Sequence, residues 1–398
     1  MTARNGRGLL HLAAALDERT AYGAASPVDP VARARLAERG ALDFVTLGDT
    51  FARPGFDALA VLSRAAPATG RIGLVPTVTT THTAPFHVQA AVATLDWVSR
   101  GRAGWQLDVS ATEGEARLFG RRHAASAEDL WREAGEVADA AARLWDSGEE
   151  IRGTGRSGGA GGGRGGDAGR VVVDGSRAED SGRPDEGVGH AVGGREVAWG
   201  AGFAPGAVSV RGPSAVRGPS AVPRPPQGHP IRVVDATGRH ARRTAARCAD
   251  VALVQVADPG QARAVRAELR DAAAGSGRDP DGLRVLVSLS VDLGDGEYAA
   301  ERGHGGGGPR RTAQGPLYRG GPVDLAELVA AWHEADAADG FHFVPAEPHR
   351  DLERLVNGTV ALLQHRGLFR TFYPGSTLRE HLGLARPARR YALAGEAS

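Results

Sequence analysis

The chain has 398 residues and a mass of 41.2 kDa, with 48 basic and 47 acidic side chains. Charges that nearly cancel give no net attraction to nucleic acid or anionic membranes, so we expect neither as a partner. Every basic residue is Arg and none is Lys, which excludes Schiff-base and P-loop lysines. The single cysteine, Cys248, excludes an internal disulfide. No apolar run is long enough to span a membrane, and we expect a cytoplasmic protein.

Eight apolar segments with the length of strands alternate with eight segments of helical periodicity. In chain order, the strand segments are 9–15, 42–47, 72–78, 103–109, 231–234, 251–256, 283–291 and 341–344. The helical segments are 29–39, 57–68, 86–99, 126–146, 239–248, 260–274, 322–338 and 349–366. Strands that are apolar throughout and alternate with helices are typical of a parallel sheet covered on both faces. The pattern predicts an α/β protein with a (β/α)₈ barrel of the TIM type, and a doubly wound sheet is the alternative.

The residues between the fourth helix and the fifth strand differ in composition from the rest of the chain. From 153 to 169, ten of seventeen residues are glycine, and polar Gly-rich sequence continues to about 206. Such a segment buries too little apolar surface to offset the entropy of ordering it, so we predict that 153–206 is disordered or loosely packed. We interpret residues 1–398 as one barrel domain with a low-complexity insert at 151–228. A second stretch rich in Gly runs from 294 to 321.

An apolar segment follows the last predicted helix. Seven large apolar side chains lie within seventeen residues: Leu368, Phe369, Phe372, Tyr373, Leu378, Leu382 and Leu384. This is too much apolar surface for a solvated tail. The pattern predicts that residues 368–391 form a C-terminal extension packed on the barrel.

Familiar catalytic and metal-binding motifs are missing. The thirteen His residues and the single Cys show no spacing typical of metal ligands, so we expect no metal. No G-x-S-x-G nucleophile motif is present. The match to G-x-G-x-x-G at 153–158 lies in the Gly-rich tract and not at a strand-to-helix turn, which argues against nucleotide binding there. The sequence therefore identifies no catalytic residue.

Polar residues cluster where the predicted strands end, which is the end at which barrels form their active sites. They are Asp49, Thr50, Thr77, Thr79, Thr80, Thr81, Gln106, Asp108, Ser110, Thr237 and Gly238. Thr237 and Gly238 open a helix, whose free N–H groups and dipole favour a phosphate. This pattern predicts a phosphorylated cofactor in the mouth of the barrel. The alternative is that these residues are helix caps and turn residues.

Six segments carry a family resemblance. They are 77–87 (TVTTTHTAPFH), 95–105 (LDWVSRGRAGW), 144–147 (LWDS), 222–230 (VPRPPQGHP), 339–345 (DGFHFVP) and 366–384 (RGLFRTFYPGSTLREHLGL). Together they resemble the luciferase-like flavin monooxygenases, in the branch of the nitrilotriacetate, dibenzothiophene-sulfone and pristinamycin-type enzymes. The family fold is a (β/α)₈ barrel, the same fold that the strand pattern predicts.

The resemblance implies that FMN binds at the mouth of the barrel. In the family, a separate flavin reductase supplies reduced FMN, which reacts with O₂ and oxygenates a small organic substrate. By motif position, Asp49 and Thr79 correspond to flavin contacts of the family. The predicted cofactor-binding residues are Asp49, Thr79, Gln106, Trp131, Thr237, Gly238 and Arg239.

The chain departs from the family pattern at three of these positions. Gln106 stands in place of an Asn, Trp131 in place of a Tyr, and Gly238 in place of a Ser of the phosphate loop. We expect backbone N–H groups and Arg239 to hold the phosphate instead. Two alternatives remain: an oxidoreductase that uses a deazaflavin coenzyme in the same mouth, and a flavin-free barrel that acts as a binding or assembly protein. The sequence leaves the choice between a monomer and a homodimer open.

Overall fold

The computed structural model describes residues 8–17, 30–50, 55–120, 122–149, 220, 222–294 and 308–389. The Gly-rich tract at 153–206 lies outside the described residues, as does the rest of the 151–228 insert apart from 220 and 222–228. Residues 390 and 391 of the C-terminal extension also lie outside them.

A closed barrel of eight parallel strands forms the centre of the described fold. The strands of the sheet are β1 (His11–Ala15), β2 (Phe44–Leu47), β3 (Gly73–Thr79), β4 (Gly104–Asp108), β5 (Ile231–Asp235), β6 (Val251–Val254), β7 (Arg284–Asp292), β8 (Arg310–Thr312), β9 (Gly315–Arg319) and β10 (Gly340–Pro345). Strands β1 to β7 pair in sequence order, and β10 pairs in parallel with both β7 and β1, which closes the sheet. The predicted (β/α)₈ barrel is confirmed, and the doubly wound sheet is excluded.

Helices cover the outside of the barrel. They are α1 (Pro30–Arg39), α2 (Ala58–Ala65), α3 (Pro85–Ser99), α4 (Glu113–Phe119), α5 (Ala127–Ser147), α6 (Arg239–Cys248), α7 (Pro259–Gly275), α8 (Pro322–Glu334), α9 (Pro348–Arg354), α10 (Ala361–His365) and α11 (Leu378–His381). Side-chain caps define several starts, because Asp57, Ser126 and Asp258 each accept a hydrogen bond from the backbone N–H three residues on. The predicted helical segments are confirmed, except that the last is split by a π-helical stretch at 355–360. Helices α4 and α11 were not predicted.

The strands bury apolar side chains on both faces, as their continuous apolar sequence predicts. Outward side chains pack beneath the helices, where Trp105 of β4 meets Trp145 of α5 edge to face, with the ring centroids 6.4 Å apart. The inward side chains form a second cluster inside the barrel: Ala13, Phe44, Val75, Ile231, Val233, Val251, Leu253 and Leu286. Leu378, Leu382 and Leu384 of the C-terminal segment join this inner cluster.

Two buried ion pairs fix the C-terminal segment to residues just before the strands begin. Arg370 Nη1 lies 2.7 Å from Asp43 Oδ1, ahead of β2, and Arg379 Nη2 lies 3.2 Å from Asp250 Oδ2, ahead of β6. Burial raises the pKa of the Asp43 carboxyl, but Arg370 and His11 outweigh burial and bring the pKa to about 2. The segment therefore lies at the N-terminal end of the barrel and leaves the opposite end for a site.

A β-hairpin lies in the second Gly-rich stretch, where the sequence pattern predicted no strand. Strands β8 and β9 pair antiparallel, and β9 adds to the edge of β7. Gly315, at φ +107°, provides the left-handed conformation that the turn requires. Tyr318 of β9 is fully buried, so the hairpin belongs to the core even though Gly and Pro surround it.

The two ends of the insert meet at its base. The Arg224 N–H donates to the Glu149 carbonyl at 2.9 Å, and the Ser220 N–H donates to Ser147 Oγ at 3.0 Å. The Trp97 indole N–H donates to the Pro223 carbonyl at 3.3 Å. The chain thus leaves and re-enters the barrel at neighbouring points.

Replacing residues 151–218 with a Gly/Ser linker of about six residues is expected to leave the barrel folded. The shorter loop lowers the closure entropy cost by about 2 kcal/mol, so the melting temperature should stay unchanged or rise. Thermal unfolding followed by circular dichroism measures this. A lower melting temperature would show that the insert contributes contacts that the barrel needs.

Candidate active site

A ring of polar side chains lines the barrel just beyond the inner apolar cluster. Inward positions recur every second residue along a strand, so the next inward residue lies two positions further on. On seven of the eight barrel strands that residue is polar, and on β1 it is Ala15. We call these seven residues the polar ring: Thr46, Thr77, Gln106, Asp235, Gln255, Ser288 and His342. The C-terminal half of the barrel interior is therefore built for a polar ligand.

Carboxyl groups surround the mouth above this ring. Asp108 ends β4, and burial raises the pKa of its carboxyl to about 6; a hydrogen bond from the Val109 N–H opposes the shift, while Glu115 and Asp235 add to it. Burial also raises the pKa of Asp49, which accepts a hydrogen bond from the Ala58 N–H at 3.3 Å. Near neutral pH, Asp108 can therefore hold or release a proton at the mouth.

The unpredicted helix α4 brings one of these carboxyl groups into place. Thr112 and Glu115 form a capping box at its start, in which each side chain binds the backbone N–H of the other. Glu115 Oε1 also accepts a hydrogen bond from the Thr50 hydroxyl at 3.4 Å. This contact joins α4 to the loop that follows β2.

The N-terminus of α6 is open. Gly238 is its N-cap and provides no side-chain hydrogen bond, so the N–H groups of the first turn have no side-chain cap among the residues that the structure describes. A Cβ placed on Gly238 would meet no atom within 4 Å, which means that open space adjoins it. The Thr237 N–H is already used, because it donates to Asp235 Oδ1 at 3.0 Å.

These groups fit a phosphate. Arg239, the first residue of α6, is exposed and donates from Nε to His240 Nε2 at 3.0 Å. His240 Nδ1 therefore carries the ring proton, and it is buried without a hydrogen-bond partner among the described residues. The helix dipole, the first-turn N–H groups and an arginine are the groups that could hold the phosphate of a cofactor here.

The structure brings six of the seven predicted cofactor residues to the C-terminal end of the barrel. Thr79 and Gln106 face inward on β3 and β4, Asp49 follows β2, and the other three are Thr237, Gly238 and Arg239. Trp131 lies instead in the helix layer, where its side chain packs on the outer core and its carbonyl accepts from the Thr244 hydroxyl.

Five members of the polar ring were missed as candidates from the sequence. They are Thr46, Asp235, Gln255, Ser288 and His342. Each lies inside or directly after a segment that reads as an apolar strand, where a single polar residue does not change the pattern. Counting every second residue forward from the apolar inward positions would have found all five.

Two further properties concern the described part of the chain alone. None of its helices is both long enough and apolar enough to cross a membrane. Within the same residues, no group of three or more His, Cys, Asp or Glu side chains is arranged to hold a metal ion.

The fold and the site define a (β/α)₈ barrel with polar side chains and an uncapped helix N-terminus at its C-terminal end. The family model of the luciferase-like monooxygenases matches residues 8–158 and 197–367, so the chain belongs to that family. It is an oxygen-incorporating oxidoreductase by this membership, and the resemblance seen in the sequence is confirmed.

The relatives fall in the branch that the motifs predicted. Nitrilotriacetate monooxygenase component A of Aminobacter aminovorans is 28% identical over 89% of each chain. N-acetyl-S-(2-succino)cysteine monooxygenase of Bacillus subtilis is 26% identical over 90% of each chain. Subunits A and B of pristinamycin IIA synthase of Streptomyces pristinaespiralis both match, at 26% and 31% identity, the latter over 34% of this chain.

Solved structures share the fold. EDTA monooxygenase from Chelativorans sp. superposes with a TM-score of 0.70 at 20% identity, over 95% of this chain and 99% of that chain. An F420-dependent secondary alcohol dehydrogenase superposes with a lower TM-score of 0.58 at 12% identity, over 88% of this chain and 98% of that chain.

Proposed function

We propose that the protein is a flavin-dependent monooxygenase that uses O₂ and reduced FMN, delivered by a separate flavin reductase, to oxygenate a small organic substrate. The observation that carries this proposal is the open N-terminus of α6 at the mouth of a barrel of this family. A reductase partner is supported by the relatives, since one is named as a component A and two as the A and B subunits of one synthase.

The residues of this chain bind and orient the cofactor. The first-turn N–H groups of α6 and the Arg239 guanidinium would hold the phosphate, and Thr79, Gln106 and Asp49 would hold the flavin. When bound, FMN supplies the redox chemistry with oxygen, which no side chain provides. The C-terminal segment packs into the opposite end of the barrel, so ligand and solvent enter through the mouth.

Arg239→Ala is expected to weaken FMN binding by roughly ten- to a hundred-fold, because a charge-assisted hydrogen bond to the phosphate is lost. Riboflavin, which lacks the phosphate, should bind the variant as well as it binds the wild type. Quenching of flavin fluorescence gives both dissociation constants. Arg243→Ala is the matched control, since Arg243 is exposed on the same helix and pairs with Glu128 of α5.

Three results would contradict the proposal in different ways. Equal losses for FMN and riboflavin would show that Arg239 supports the fold and not the phosphate. Binding of coenzyme F420 without binding of FMN would identify a deazaflavin enzyme. Absence of binding to any flavin would leave a barrel that acts as a binding or assembly protein.

A further inference from the structure

A buried hydrogen-bond chain crosses the inside of the barrel within the polar ring. His342 Nε2 lies 2.9 Å from the Thr46 hydroxyl, and His342 Nδ1 lies 3.1 Å from the Ser288 hydroxyl. All three residues are at most 9% exposed. We call Thr46, His342 and Ser288 the hydroxyl–imidazole chain.

The small side chains of β1 make this chain possible. Strand β1 lies between β10, which carries His342, and β2, which carries Thr46. Its inward residues beside them are Ala13, in register with His342, and Ala15, in register with Thr46. Because both are alanines, the imidazole can extend across β1 and reach the threonine hydroxyl.

The hydroxyl–imidazole chain has three donor hydrogens but makes only two hydrogen bonds. A neutral imidazole has one N–H donor and one acceptor nitrogen, and each hydroxyl has one hydrogen. One hydroxyl donates to the ring, and the other accepts from the ring and keeps its own O–H. Neither hydroxyl makes another hydrogen bond to the described residues. A protonated imidazole would leave both O–H groups without an acceptor in the chain, so at least one donor is left without a partner among the described residues.

Two of the three residues of this chain, Thr46 and His342, lie across the barrel from the proposed phosphate site. The closed strand order runs from β10 through β1 to β7, so β1 is four strands away from β5 in either direction. Helix α6 follows β5, whereas Thr46 and His342 lie on the two neighbours of β1, and Ser288 lies on β7, two strands from β5. A cofactor whose phosphate is held at α6 extends over the barrel axis and leaves this far side for the substrate.

We propose that the hydroxyl–imidazole chain recognises the substrate, by donating its spare O–H to an acceptor atom such as a carbonyl or amide oxygen. His342 is a positioning residue in this arrangement, because it acts by orienting the two hydroxyls. The preferred substrates are small molecules that carry an acceptor at the end that enters first, and a bare hydrocarbon end is disfavoured because the buried donor would stay unpaired. This inference rests on the proposed function for the position of the cofactor.

The experiment compares two probes of similar size, benzamide and toluene, on the FMN-bound protein. Titration calorimetry gives their dissociation constants, and we expect the wild type to bind benzamide at least ten-fold more tightly. The double variant Thr46→Val with Ser288→Ala removes both hydroxyls and keeps the imidazole, and it should bring the two constants to within about two-fold. Should the double variant not fold, Ser288→Ala alone should reduce the preference.

A control and a second readout separate this proposal from the proposed function. Thr94→Val removes a hydroxyl on the outer face of α3, where it donates to the Ala90 carbonyl, and the preference should stay unchanged. FMN affinity should be the same in the double variant and the wild type. Equal binding of the two probes by the wild type, no measurable benzamide binding, or a preference that survives in the variants would overturn the inference. Loss of FMN binding by the wild type would instead refute the proposed function.

Discussion

Arg102→Met is expected to lower the free energy of unfolding by about 3–5 kcal/mol. Arg102 is 3% exposed, between α3 and β4. Its guanidinium donates to the carbonyls of Ser99, Ala66, Thr69 and Ile72 and also to the Thr69 hydroxyl. Without the guanidinium these acceptors stay buried and unpaired, and the loop that leads into β3 loses its attachment to α3. Thermal unfolding should show a melting temperature that is lower by about 6–20 °C.

Two further variants test the cause. Arg102→Lys keeps the charge but replaces the planar guanidinium with a compact ammonium. It should therefore be destabilised nearly as much as Arg102→Met. Arg64→Met, at an exposed position of the neighbouring helix α2, should change stability by less than about 0.5 kcal/mol. If Arg102→Lys were as stable as the wild type, charge and not the hydrogen-bond geometry would be the stabilising factor.

A chain that ends after Gly367 is expected not to fold stably, so it should show no cooperative unfolding transition. The truncation removes Leu378, Leu382 and Leu384 from the inner cluster, each contributing roughly 1.5–3 kcal/mol by burial. It also leaves Asp43 and Asp250 buried without the arginines of the segment, at a cost of about 3–5 kcal/mol for each broken pair. The sum approaches or exceeds the roughly 5–15 kcal/mol by which a domain is stable. Circular dichroism and calorimetry measure the loss.

A milder change and a shorter truncation serve as controls. Leu382→Ala should fold with about 2–5 kcal/mol less stability, because it leaves a cavity at the N-terminal end of the barrel. A chain that ends after Arg389 keeps every contact described for the segment and should unfold like the full chain. A truncation after Gly367 with an unchanged melting curve would show that the barrel does not need this segment.

Several features of the protein follow from local sequence. The eight strands and their helices were predicted because a strand buried on both faces reads as an apolar run, and a helix shows its own period. The family motifs predicted the branch of the family to which the relatives belong, and that prediction is confirmed. Helix α6, predicted at 239–248, has these same bounds in the structure because its cap and periodic residues are adjacent in the chain.

Other elements could not be predicted from the sequence, because their local composition is not typical of a strand or helix. The β8–β9 hairpin is short and lies among Gly and Pro residues, and its stability comes from pairing with β7 and from burial of Tyr318. Helix α4 has only seven residues, too few to show a period, and its capping box is the one local signal. Trp131 was assigned to the cofactor by motif position, whereas its surroundings are set by the packing of α5 against α6.

The sequence by itself determined a barrel and the membership of a monooxygenase family, and it predicted a site at the C-terminal ends of the strands. Only the tertiary structure decided which side chains meet. Thr46 and His342 are 296 positions apart, and Asp43 and Arg370 are 327 apart. Barrel closure places β10 beside β1, and this contact has no local sequence signal because it depends on the pairing of all the strands between them. The hydroxyl–imidazole chain and the attachment of the C-terminal segment therefore follow from the closed sheet, since their hydrogen bonds and ion pairs join residues that are distant in the chain.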